Sequence, residues 1–155
     1  MNNIGVFIPI RLGSERLPGK AMMPVLGKPI VQHLLDRILA SSVIADIQQI
    51  VVCTTKHHTN DILCEYIEEQ GAKCFRGSEN DIIKRFYNAN EKFQYQHILQ
   101  IDGDDPLIPP EFIDQVVEHL LKMRVENAVA VTEGLPFGLN IKAFSKNALS
   151  EVYDK

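Results

Sequence analysis

"IGVFIPIRLGSERLPGKAMMPVLGKP", residues 4 to 29, runs an apolar segment straight into a connection crowded with glycine, proline and cations. Residues 4 to 10 are almost continuously apolar, the pattern of a strand buried on both faces of a sheet. The next helical pattern begins only at Pro29. The connection is therefore about eighteen residues long, where about two to six is usual, and a loop of that length either has a job or is disordered.

Outward from this stretch, strand and helix patterns alternate. Val31, Leu34, Leu35, Ile38 and Leu39 recur at helical spacing behind Pro29, which suits a helix start. Residues 47 to 55 predict a second strand, followed by a helix over about 59 to 70 that Gly71 stops. "AKCF" is a short third strand and 80 to 93 a helix with Ile82, Ile83, Phe86 and Tyr87 on its buried side. Residues 96 to 101 form a fourth strand, 110 to 122 a helix, and 127 to 132 a fifth strand. "LNIKAF" is a short sixth strand, and Ser145 caps a last helix. This order predicts an α/β fold: a three-layer αβα sandwich with a mostly parallel, Rossmann-like, doubly wound sheet. Ligands of such sheets bind beyond the carboxyl ends of the strands, so the stretches 11–20 and 102–110 are expected to face one crevice.

Composition narrows the function. The 155 residues are 45% hydrophobic, enough for one ordinary core. A net charge of -4 argues against general nucleic-acid binding. The apolar stretch near the N-terminus is too short for membrane insertion and lacks the basic flank of a leader, so a cytoplasmic protein is expected. Cys53, Cys64 and Cys74 lack the close pairing of a zinc site and are expected as reduced thiols.

The two odd loops carry the chemistry. In the first, Arg11, Arg16 and Lys20 surround Gly13, Ser14 and Gly19. Glycines let backbone N–H groups approach an anion, and three cations suit a polyphosphate, although a solvated loop would also carry cations. The spacing is not that of a Walker A loop: the second glycine comes one residue late, and Ala21 stands where a magnesium-binding Ser or Thr belongs. In the second, Asp102, Asp104 and Asp105 crowd the end of an apolar strand, where their repulsion calls for a cation. Hard oxygen ligands of this kind suit Mg2+, which bridges one or two carboxylates to substrate phosphates; an Asp-rich turn before a helix is the plainer alternative.

With both loops in view, the sequence resembles the cytidylyltransferase family that includes the CMP-sialic acid and CMP-3-deoxy-manno-octulosonate synthetases, and within it the spore coat polysaccharide biosynthesis branch. The matching segments are "RLGSERLPGKAMMPVLGKP", "VVCTT", "FRGSENDIIKRFYNA", "DGDDPLIPPEFID" and, more loosely, "LPFGLNIKAFSKNAL". The resemblance implies a single nucleotidyltransferase domain over 1–155, of the nucleotide-diphospho-sugar transferase type and without the family's C-terminal part. It also implies a reaction that joins CMP from CTP to an acidic or amino sugar, with Mg2+ as cofactor and a homodimer as a possible assembly. Arg11, Gly13, Ser14, Arg16 and Lys20 would hold the CTP phosphates, with Lys20, Arg16 and Arg11 catalytic. Arg76, Gly77 and Ser78, and more weakly Asp81, would border the cytosine. Asp102 would approach the ribose, Asp104 would ligate the metal, and Arg85 and Asp105 would face the substrate unless Arg85 pairs with a neighbouring acid.

The chain departs from the branch where "PDGLDVEVF" becomes "PFGLNIKAF", so Phe137, Asn140 and Lys142 replace carboxylates. That leaves two other expectations open. One is a glycosyltransferase whose metal motif is "DGD"; the other is a nucleotide-binding protein that has lost catalysis.

Overall fold

A computed structural model describes residues 3–136 and 138–155; Phe137 lies outside the described residues. Strand β1 (Ile4–Pro9) leads through the long connection, which holds a short hairpin of β2 (Pro24–Val25) and β3 (Lys28–Pro29), into α1 (Ile30–Leu39). Then follow β4 (Ile50–Thr55), α2 (Asp61–Glu69), β5 (Lys73–Gly77), α3 (Ile82–Phe93), β6 (His97–Ile101) and α4 (Pro110–Lys122). Strands β7 (Val129–Val131) and β8 (Ile141–Ser145) and helix α5 (Lys146–Tyr153) complete the order.

The central sheet runs β5-β4-β1-β6-β8-β7. Strand β1 pairs in parallel with β4 on one edge and β6 on the other, and β5 extends the parallel set beside β4. Strand β8 lies antiparallel between β6 and β7. The α/β, mostly parallel expectation holds. The antiparallel insertion was not expected, because it depends on pairing between segments distant in sequence rather than on periodicity.

Alternation along the strands divides the core into two layers. Ile4, Val6 and Ile8 of β1 turn toward Leu34, Leu35 and Ile38 of α1, Leu63 and Ile67 of α2 and Val116 and Leu120 of α4. Phe7 of the same strand turns the other way, onto Phe86 of α3 and Leu149 of α5. Helices thus cover both faces, and the carboxyl ends of β1 and β6 stand side by side where the strand order reverses.

Several boundaries follow local chemistry. Pro110 opens α4, where its missing N–H is no loss. Ser145 Oγ accepts from the Ala148 N–H at 3.2 Å, the expected cap of the last helix. Gly71 takes a φ of 88°, which ends α2 as expected.

The cysteines require a correction. Cys64 of α2 and Cys74 of β5 are joined as a disulfide with Cα atoms 5.5 Å apart, while Cys53 is free and buried. The expectation of reduced thiols rested on spacing, and spacing cannot show that α2 packs its middle turn against the strand that follows it. A bridge across ten residues of sequence stabilises by about 2 to 3 kcal/mol in the chain-entropy account. Dithiothreitol, or Cys64→Ser, is accordingly expected to lower the thermal midpoint measured by circular dichroism; an unchanged midpoint would contradict the bridge.

Candidate active site

The loop after β1 closes on itself. The Gly19 N–H donates to the Leu12 carbonyl at 2.8 Å, and Gly19 adopts a φ of 71° that a side chain would oppose. A turn of 3-10 helix over Lys20–Met22 then carries Lys20 back toward the sheet. The loop after β6 comes close to the root of this arch because Gly103 has no side chain. A Cβ there would collide with Ile10 and stand 2.9 Å from the Pro9 carbonyl oxygen.

The two loops meet around one cavity of about 860 Å³, lined by Arg11, Ser14, Arg16, Lys20 and Asp104 among others. Lys20 Nζ donates to Asp104 Oδ2 at 3.1 Å across it. Both side chains are partly exposed, so the pair adds little stability; its significance is that it joins the cationic loop to the acidic one. Gly13 belongs to the same arch, with open space where its Cβ would be.

The acidic loop carries charge without full compensation. The Asp105 N–H donates to the Asp102 carbonyl at 3.1 Å, and Gln100 Nε2 donates to Asp102 Oδ1 at 3.1 Å. Burial pushes the Asp105 carboxyl up to about 6, with Asp104 and Asp102 adding to the rise and Lys20 opposing it. Among the described residues no group of three His, Cys, Asp or Glu forms a ready metal cage. One or two carboxylates beside a phosphate site nevertheless fit magnesium, which takes its remaining ligands from phosphates and water.

The other expected residues are arranged differently. Arg76, Gly77 and Ser78 line a separate cavity of about 360 Å³, together with Lys56 and Lys84. Arg76 is also tied down: it bonds Asp61 Oδ1 at 2.5 Å and donates to the carbonyls of Thr55, Lys56 and His57. Asp81 caps α3, its Oδ1 accepting from the Lys84 N–H at 2.9 Å. Arg85 is buried and, among the described residues, pairs with no acid; it donates to the carbonyls of Ser78 and Glu79, holding the loop before α3. Burial lowers the pKa of its guanidinium.

A third cavity, also about 360 Å³, is lined by Pro9, Ile10, Arg11, Asn80, Ile82 and Arg85 among others. It shares Pro9, Ile10 and Arg11 with the first, so it extends that crevice. Asn80 belongs to the matching segment "FRGSENDIIKRFYNA", but the sequence does not single it out, because a side chain in a loop gives no periodic signal. Of the replaced acids, Lys142 stands exposed on β8 in register with Gln100, and Asn140 precedes that strand.

Residues 6–155 match the sequence profile of the cytidylyltransferases. The chain belongs to the cytidylyltransferase family. It is 34% identical over 119 residues to the spore coat polysaccharide biosynthesis protein SpsF of Bacillus subtilis, covering 76% of this chain and 50% of that protein. It is 31% identical over 155 residues to the 3-deoxy-manno-octulosonate cytidylyltransferase of Aeromonas salmonicida, covering 97% of this chain and 57% of that enzyme. A cytidylyltransferase structure from Leptospira borgpetersenii superposes with a TM-score of 0.89 at 28% identity, over 99% of this chain and 65% of that one. The chain thus spans about half to three-fifths of the length of these curated cytidylyltransferase-family relatives. Among the described residues no helix is long and apolar enough to cross a membrane.

The raised Asp105 carboxyl sets a pH dependence. Its folded value of about 6 lies above the ordinary 3.8, so the protonated form favours the fold. That contribution is complete below about pH 4 and is lost as pH rises through 6. Asp105→Asn is therefore expected to be more stable than the parent in urea melts at pH 8, with the gap closing by pH 4. A gap that persists or reverses at pH 4 would contradict this environment.

Proposed function

We propose that this cytidylyltransferase-family chain supplies the nucleotide site of an enzyme that joins CMP from CTP to an acidic or amino sugar and releases pyrophosphate, in the synthesis of a surface polysaccharide. The observation that carries the reading is the meeting of Lys20 and Asp104 across one cavity, at the junction of a glycine-and-cation arch with an acidic loop. A triphosphate with its metal calls for cations on one side and a carboxylate on the other, and Arg11, Arg16, Lys20 and Asp104 all line this cavity, which supports the reading.

In this reading Arg11, Arg16 and Lys20 bind the triphosphate, with Ser14 and the arch N–H groups beside them. Magnesium, held by Asp104 with Asp102 near it, would supply charge neutralisation at the phosphates. The sugar hydroxyl attacks the α-phosphorus in line: the new O–P bond forms as the bond to the β-phosphate oxygen breaks, and the hydroxyl proton passes to solvent or a neighbouring base. The residues do no covalent chemistry; they fix the approach and stabilise charge spreading onto the leaving group. The base would rest in the extension of the crevice beside Arg11, Asn80 and Ile82, bounded by the loop that Arg85 holds. Membership of the family and similarity to an octulosonate cytidylyltransferase and a spore coat polysaccharide protein support the choice of CTP and of a sugar acceptor.

The test is pyrophosphate release by the full-length protein from CTP, magnesium and a panel of acidic and amino sugars. Loss of one electrostatic contact of this kind typically costs about 10² to 10³ in rate, so Lys20→Ala and Asp104→Asn are expected to fall by that factor. Release of a nucleoside diphosphate from a nucleotide sugar would instead mark a glycosyltransferase. Full activity in Asp104→Asn would sink the metal assignment.

A further inference from the structure

The phosphate arch is held to the body of the protein at Leu12. The Leu12 carbonyl is taken by the Gly19 N–H, which closes the arch, and its side chain is buried in the core. Within the arch the bonds are long: Ser14 Oγ accepts from the Leu17 N–H at 3.5 Å, and the Lys20 N–H reaches the Leu17 carbonyl at 3.4 Å. The arch can close on itself, but its own bonds do not fix where it sits relative to the sheet.

The connection after β4 supplies a contact that does. Asn60 Oδ1 accepts the Leu12 N–H at 2.8 Å, a contact spanning 48 residues of sequence. Asn60 Nδ2 donates to Thr55 Oγ1, also at 2.8 Å, and Thr55 is buried at the carboxyl end of β4. Asn60 itself is 1% exposed. It ends a 3-10 turn (His58–Asn60) that His57 caps and that runs directly into α2, and its side chain makes no cap bond. Its buried amide is thus free to bridge Thr55 and Leu12, the distant contact.

We propose that Asn60 is a positioning residue for the phosphate arch. The chain Thr55–Asn60–Leu12 sets the arch over the carboxyl ends of β4 and β1, so that Ser14, Arg16 and Lys20 address a polyphosphate together. This rests on the phosphate reading of the cavity given above. The next residue, Asp61, holds Arg76, so the front of α2 bears on the loops at both ends of the site.

The experiment is calorimetric titration of the full-length protein, with magnesium, using CTP and inorganic tripolyphosphate as probes. It is run well below the thermal midpoint of every variant, so that lost global stability alone leaves affinity unchanged. Asn60→Leu keeps the volume and removes both bonds; it is expected to weaken both probes about tenfold, the scale of one buried hydrogen bond lost. Thr55→Val, a milder change that folds even where Asn60→Leu does not, is expected to weaken both in the same direction. The double variant should be no weaker than Asn60→Leu, because both changes act through one chain of bonds. Amide exchange gives a second readout: the Leu12 N–H is expected to be protected in the parent and to exchange faster in both variants. Parent-like affinity in a folded Asn60→Leu, or additive losses in the double variant, would overturn this inference alone. Failure of the parent to bind either probe would refute the phosphate reading, and this inference with it.

Discussion

Strand β1 is paired in parallel on both edges, and the site depends on that constraint. With β4 on one side and β6 on the other, the segments leaving β1 and β6 must emerge next to each other at the same end of the sheet. Neither segment could stay there as an ordinary loop. The first carries three cations, and the second brings three carboxylates to the end of an apolar strand. Gly103 permits the approach, since any side chain there would strike Ile10. The crevice is thus a consequence of strand order, with one missing Cβ setting how closely its two loops approach.

Charge then gives the crevice its chemistry. Lys20 and Asp104 neutralise each other across the cavity, while Asp105 remains buried enough beside its neighbours that its proton is hard to remove. A site in this condition has cationic groups to offer an anion and carboxylates that gain from a cation. In the proposed reading a triphosphate with magnesium would satisfy both. Arg76 and Arg85 serve a different purpose. They spend their donors largely on backbone carbonyls, so they shape the loops that border the site.

The fold was legible where physics is local. The α1 and α4 stripes, the continuous apolar run of β1 and the Ser145 cap each follow from spacing or a single side chain, and each appears in the structure. That the first loop lines a crevice was legible because glycine and cations are rare company in a strand-to-helix loop. The antiparallel β8, the Cys64–Cys74 bridge and the partners of Arg76 were not, since each joins segments whose proximity only the folded chain creates. Asn60 shows the limit most clearly. A residue that the sequence places at the start of a helix with no assigned role turns its amide to a backbone N–H 48 positions away.

The most direct test of the central claim is a thermal-shift titration of this chain with CTP, UTP, ATP and GTP, each with and without magnesium. Stabilisation by a ligand grows with its concentration relative to its dissociation constant, so the shift ranks affinities without requiring an acceptor. The account requires the largest shift for CTP, dependent on magnesium and reduced in Lys20→Ala. Equal shifts for all four nucleotides, or none with any of them, would contradict it.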